Sequence, residues 1–80
     1  MTREQIEKQV VEIVCNQLGV RKGTVTPEKY LRLDLGADML DVVEIIMSLE
    51  DHFNIAIELD EADGLKTVGQ IVEFVEAKGV

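Results

Sequence analysis

Three apolar stripes at helical spacing, each opened by a residue suited to cap a helix, leave this chain little choice but to fold as helices. In residues 3–18, Ile6, Val10, Ile13, Val14 and Leu18 recur on one side of a helix. Thr2 with Gln5 forms a capping-box pattern ahead of it, and Gly19 suits the left-handed residue that ends it. Residues 39–52 carry Leu40, Val42, Val43, Ile45, Ile46, Met47 and Leu49, with Phe53 just beyond. Asp38 suits the N-cap of this helix, and Asp41 adds negative charge in the first turn, where the helix dipole favours it. In residues 68–77, Val68, Ile71, Val72 and Val75 face inward behind a Thr67–Gln70 capping pattern, and Lys78 and Gly79 suit the end. Residues 58–63 are expected to form a short helix with Ala62 inward, stopped by Gly64 and preceded by Ile55 and Ile57 around a turn.

The second stripe is too wide for one buried face. Either that helix touches neighbours on several sides, or part of the stripe awaits a partner. Ile46, Leu49 and Phe53 are expected in the core, Val43 mostly inward, and Leu40 and Met47 at least partly exposed. The link over residues 19–36 is long for a compact domain. Thr26-Pro27 suits a short helical turn within it. Leu31, Leu33 and Leu35 alternate with polar residues, but a lone strand would have no partner, so these leucines are expected to pin the link onto the core. The expected fold is all-α: one domain over residues 1–80, a small antiparallel four-helix bundle with a short third helix and a long loop between helices one and two. Only three aromatics and one proline argue against a β-sandwich or small barrel.

Charge narrows function. Nine of the sixteen acids lie between Ala37 and Asp63, a stretch without Lys or Arg, whereas the rest of the chain has seven acids and eight bases. The net charge of −8 therefore resides in the central third, which disfavours nucleic acid and favours cationic partners. On the second helix Asp41, Glu44, Ser48 and Asp51 share one face. Like charges at this spacing repel by roughly 0.2–0.5 kcal/mol per pair. A solvated helix face is the plain reading; the absence of any compensating base favours docking of a partner with Arg and Lys patches. No apolar run reaches the ~18 residues of a membrane span, and no leader-like run opens the chain, so a cytoplasmic location is expected. The small size and high charge favour a monomer.

The run Leu33-Asp-Leu-Gly-Ala-Asp-Met-Leu-Asp-Val-Val-Glu-Ile-Ile-Met-Ser-Leu-Glu-Asp-His-Phe53 resembles the acyl carrier protein family, whose pattern is Leu-Gly-Ala-Asp-Ser-Leu-Asp followed by a helix ending in Leu-Glu-Glu and a Phe. The matching residues are Leu35, Gly36, Ala37, Asp38, Leu40, Asp41, Glu44, Met47, Leu49, Glu50 and Phe53. The similarity continues through Ile57, the acidic turn at 60–63, Thr67-Val68 and the Leu18-Gly19-Val20 end of the first helix. The resemblance implies a four-helix fold, no enzymatic activity of its own, and a 4'-phosphopantetheine arm at the start of the second helix. Such an arm carries acyl thioesters between enzymes of fatty-acid or polyketide synthesis. It also implies partners with basic patches, namely acyl-processing enzymes and a phosphopantetheinyl transferase, docking through Asp38, Leu40, Asp41, Glu44, Met47, Glu50 and Asp51.

One residue departs from the pattern. The family attaches its arm to the serine between Asp38 and Leu40, and here that residue is Met39. A thioether has no O–H with which to form the phosphodiester, so no arm is expected on this chain. Ser48 lies mid-helix, and Thr24 and Thr26 lie in the long link; none has the Asp-x-Leu setting. Two origins fit: an ordinary carrier with a single blocking substitution, or a natural serine-less relative that acts only as an interaction or regulatory partner. The Met39 side chain is expected on the surface or folded back near Leu40; a sharper alternative has it partly entering the space the family reserves for an acyl group.

No catalytic constellation is present. Cys15, at helical spacing from Val11 and Leu18, reads as a buried, unreactive thiol, and His52 near the end of the second helix reads as a dipole partner or an exposed side chain. Asp60-Glu61-Ala62-Asp63-Gly64 lacks the alternation of a calcium loop, so no dedicated metal site is expected. Loose divalent binding would still screen the uncompensated acids. In a thermal melt, Mg²⁺ or Ca²⁺ is therefore expected to raise Tm more than Na⁺ at matched ionic strength; equal shifts would reduce the effect to ordinary screening.

Overall fold

The computed structural model describes residues 1–80. Helices α1 (Arg3–Leu18), α2 (Met39–Phe53), α3 (Leu59–Asp63) and α4 (Val68–Ala77) follow in order, with a 3₁₀ turn at Lys22–Thr24 in the long link. There are no strands, only an isolated antiparallel bridge between Tyr30 and Thr67. The expected all-helical bundle is thus observed, and α1 packs against both α2 and α4. No helix is long and apolar enough to cross a membrane.

Local chemistry sets the helix starts. Thr2 Oγ1 accepts from the Gln5 N–H at 3.2 Å, and Gln5 Oε1 accepts from the Thr2 N–H at 2.8 Å. Thr67 and Gln70 make the same reciprocal pair ahead of α4. These bonds satisfy donors that the first turn of a helix leaves without intrahelical partners. Gly19 closes α1 at φ 68°. α2 ends at Phe53, one residue beyond the expected end, and Asn54 caps it in the left-handed region at φ 55°, needing no glycine because asparagine tolerates that region.

The core comes from all three long helices and the link. Ile6, Val10 and Val14 of α1, Ile45 and Leu49 of α2, and Val68, Ile71, Val72 and Val75 of α4 are fully enclosed. Each such side chain contributes roughly 1.5–3 kcal/mol of burial. Val25, Leu31 and Ala37 extend this core into the link. Cys15 is buried as expected, and desolvation pushes its thiol pKa up.

The link is clamped to α4 by backbone. The Val68 N–H donates to Lys29 O at 3.1 Å, the Gly69 N–H to Pro27 O at 2.8 Å, and the Leu31 N–H to Lys66 O at 3.0 Å. A Cβ on Gly69 would lie 3.0 Å from Pro27 O, so a larger residue there would press on the Pro27 carbonyl that the clamp uses. The helical turn expected at Thr26-Pro27 is present as a single turn, closed by the Lys29 N–H on Thr26 O at 3.0 Å.

Two expectations fail. Leu33 does not pin the link: it is 85% exposed. Residues 31–35 form a turn, with the N–H groups of Asp34 and Leu35 both donating to Tyr30 O, so Leu31 and Leu35 face one way and Leu33 the other. Val43 is not inward but 48% exposed. α2 buries only Ile45, Leu49 and Phe53, four residues apart, with Val42 and Ile46 on its shoulders; no element covers the far side. Truncation should report this division. Ile45→Ala is expected to lower unfolding free energy by about 2–5 kcal/mol in urea melts. Leu33→Ala should stay within about 0.5 kcal/mol of the parent chain.

Candidate functional site

The head of α2 is built by Asp38 and Asp41. Asp38 Oδ1 accepts from the Asp41 N–H at 2.8 Å, and Asp41 Oδ2 accepts from the Asp38 N–H at 3.1 Å. The sequence points to the cap and the first-turn charge; the reciprocal bond is an addition, because a short acid here does the work usually given to Glu or Gln. Asp41 Oδ1 also accepts from Gln17 Nε2 at 3.2 Å. The Asp38 N–H and then the Gln17 amide hold the Asp41 carboxyl below the usual carboxylate range.

The exposed side of α2 has three arcs. Leu40, Val43 and Met47 form an apolar strip, 48–64% exposed. Asp41, Glu44, Ser48 and Asp51 run along the flank that meets α1, where Gln17 Nε2 also donates to Glu44 Oε2 at 2.5 Å. Glu50 lies on the other flank and does not join them. Its carboxylate accepts from the Ile57 N–H at 3.0 Å and tethers the segment after α2. Of the nine central acids only Glu61 reaches a base, Lys78 at 3.6 Å. The paired bases Arg3 and Lys22 instead engage the peripheral acids Glu73, Glu76 and Glu12. The central field is therefore almost wholly uncompensated.

Beside the Glu50 flank, an open groove of ≈ 1000 Å³ runs between α2, the 30–33 turn and α3. Its walls are mainly apolar, with Ile46, Ile57 and Leu65 deep and the exposed Leu33 and Leu59 at its lips. Met39, the first residue of α2, borders the groove and is 69% exposed. Its side chain is on the surface, as the plainer expectation had it, at the rim of the groove. His52 is exposed, with Nε2 2.6 Å from Gln9 Oε1, and its ring edge meets Phe53. No three His, Cys, Asp or Glu side chains converge as a metal cluster would.

The site thus sets a reciprocally capped helix head beside an open, mainly apolar groove, next to an acidic face with almost no paired charge. The chain matches the family described as "Phosphopantetheine attachment site" over residues 8–75. It is 46% identical to the acyl carrier protein of Exiguobacterium sibiricum over 78 residues, covering 98% of this chain and 99% of that one. The chain belongs to the acyl carrier protein family. The acyl carrier proteins of a second Exiguobacterium strain, 47% identical over 98% of this chain and 99% of its own, and of Prochlorococcus marinus, 46% identical over 98% of each, agree. Acyl carrier proteins are carriers and not enzymes, and the family's group is 4'-phosphopantetheine.

The position between Asp38 and Leu40 does not offer the linking chemistry such a group needs. Met39 offers sulfur without a hydroxyl. Ser48, the one serine, is nine residues further along α2, about 14 Å by helical rise. Thr26 Oγ1 donates to Glu28 Oε2 at 2.6 Å, and Thr24 Oγ1 to Arg21 O at 2.7 Å, both in the link and outside the groove wall.

Sequence reasoning missed Gln17, Leu33 and Val43. Nothing local marks Gln17, because its partners lie 24 and 27 residues away. The depressed Asp41 pKa gives the fold an acid-sensitive element. A carboxylate held ionised in the fold contributes stability above its unfolded pKa, about 3.9 for Asp. That contribution is lost as pH falls through the lower folded value. The Tm difference between the parent chain and Asp41→Ala is therefore expected to be steady above about pH 4 and to narrow on further acidification. A difference that persists unchanged at the acid end would contradict the assignment.

Proposed function

We propose that this chain is an acyl carrier scaffold of fatty-acid or polyketide-type synthesis in which Met39 occupies the attachment position. The chain therefore carries no 4'-phosphopantetheine, while its docking surface is kept. The single observation behind this reading is the contrast at the head of α2: a reciprocally capped Asp38–Asp41 pair, an open groove and an exposed Leu40–Met47 strip surround a residue that lacks only the hydroxyl. Asp38, Leu40, Asp41, Glu44, Met47, Glu50 and Asp51 form the surface that meets basic patches of acyl-processing enzymes and of a phosphopantetheinyl transferase. Unpaired carboxylates around an apolar strip support that choice of partner, since they steer cations to a surface that then buries apolar area. The reading takes residues 1–80 as one domain with one continuous core, acting as a monomer in the cytoplasm.

A second reading keeps the surface and drops the carrier role: a natural serine-less, carrier-like member of the family that acts only as an interaction or regulatory partner of an enzyme and carries no acyl group. Met39 amid an otherwise complete surface favours it as well. Intact mass separates the two after incubation with a phosphopantetheinyl transferase and coenzyme A. The Met39→Ser variant is expected to gain one arm and the parent chain none. If the serine variant stays unmodified under conditions that load a control carrier, the non-carrier reading stands instead.

A further inference from the structure

Asp41 and Glu44 stand three residues apart on α2, repel each other and have no Lys or Arg in reach. They are nevertheless joined. The Gln17 side chain of α1 places Nε2 3.2 Å from Asp41 Oδ1 and 2.5 Å from Glu44 Oε2. The amide must present its NH₂ end, since its oxygen would be repelled by both carboxylates. An amide has two donors and no net charge. It orders two carboxylates and leaves both charges in place, which a Lys or Arg at the same position would not do. Asp41 is held at its other oxygen by the Asp38 N–H, so Glu44, on a longer and exposed side chain, gains most from the bridge.

We propose that Gln17 is a positioning residue for partner docking: it holds Asp41 and Glu44 side by side as an ordered, unneutralised pair beside the Leu40–Met47 strip. The occupant is an Arg-bearing patch on a protein partner, because a guanidinium fork engages carboxylate oxygens in a fixed plane and rewards their ordering more than a Lys point charge does. This rests on the docking reading above. Ordering one flexible side chain before association is worth about two- to tenfold in affinity. The gain falls on dissociation, since the charge that governs encounter is unchanged.

The experiment measures binding of a phosphopantetheinyl transferase to this chain by surface plasmon resonance at several salt concentrations. Gln17→Met keeps length and removes the donors; it is expected to weaken binding about two- to tenfold through faster dissociation, with an unchanged salt slope. Gln17→Lys can still bridge the pair but cancels one charge; it is expected to slow association and flatten the salt slope. In a Glu44→Gln background, Gln17→Met should cost markedly less than in the parent chain. Circular dichroism melts show whether each variant keeps its helices. An unchanged Kd for folded Gln17→Met, or an equal loss in both backgrounds, overturns the positioning role and leaves docking intact. If Asp41→Asn and Glu44→Gln both bind as the parent does, the docking reading falls and the positioning role with it.

Discussion

The backbone clasp between residues 27–31 and the start of α4 is the contact on which the site depends. The first donors of α4 have no intrahelical acceptors, and two of them, on Val68 and Gly69, are taken by carbonyls of the link. In return Lys66 O holds the Leu31 N–H, and Leu31 is driven into the core. Everything functional hangs from that point. The turn at 31–35 becomes one wall of the groove, and the Ala37 N–H, bonded to Leu31 O at 2.9 Å, delivers Asp38 to the head of α2. A long link that would otherwise be loose thus becomes a rigid arm whose length is used to place α2 opposite α3.

Given that placement, α2 divides its surface by angle. One arc joins the core through Ile45, Leu49 and Phe53; one borders the groove through Ile46 and Glu50; one carries the acids that meet Gln17. The apolar strip between the last two stays bare because α1 covers one side of α2 and the far side has no neighbour. The width of the hydrophobic stripe therefore has two components that sequence periodicity merges: residues buried in the core, and residues that no element of the chain covers.

Legibility followed the range of the interaction. The caps at Thr2, Asp38 and Thr67 involve residues three apart, and each could be read from the chain. Helix limits followed from them within one residue. The inward residues of α4 were all correct because the helix has one buried face. Leu33 and Val43 were misplaced because their exposure depends on what is absent nearby: a turn reverses the leucine alternation, and no helix covers Val43. The groove and the Gln17 bridge were invisible, since both join segments that are distant along the chain. The acidic face was legible as composition, and its near-complete lack of pairing became evident only once the peripheral bases other than Lys78 were found engaged with other acids or unpaired.

Met39 shows how chemistry and fold can be separated at one residue. As the first residue of α2 it follows the cap, so the fold asks nothing of its side chain: Asp38 supplies the capping oxygen, and the groove stays open beside it. Methionine is also a better helix former than serine, so the helix has no reason to resist it. A hydroxyl can therefore be exchanged for a thioether here without disturbing the Asp38–Asp41 bonds, the bare Leu40–Met47 strip or the unpaired acids. The caps, the bare strip and the unpaired acids are made by neighbouring residues, whereas a phosphodiester link needs one hydroxyl oxygen, so a single side chain can remove that oxygen and leave the surrounding surface as it is.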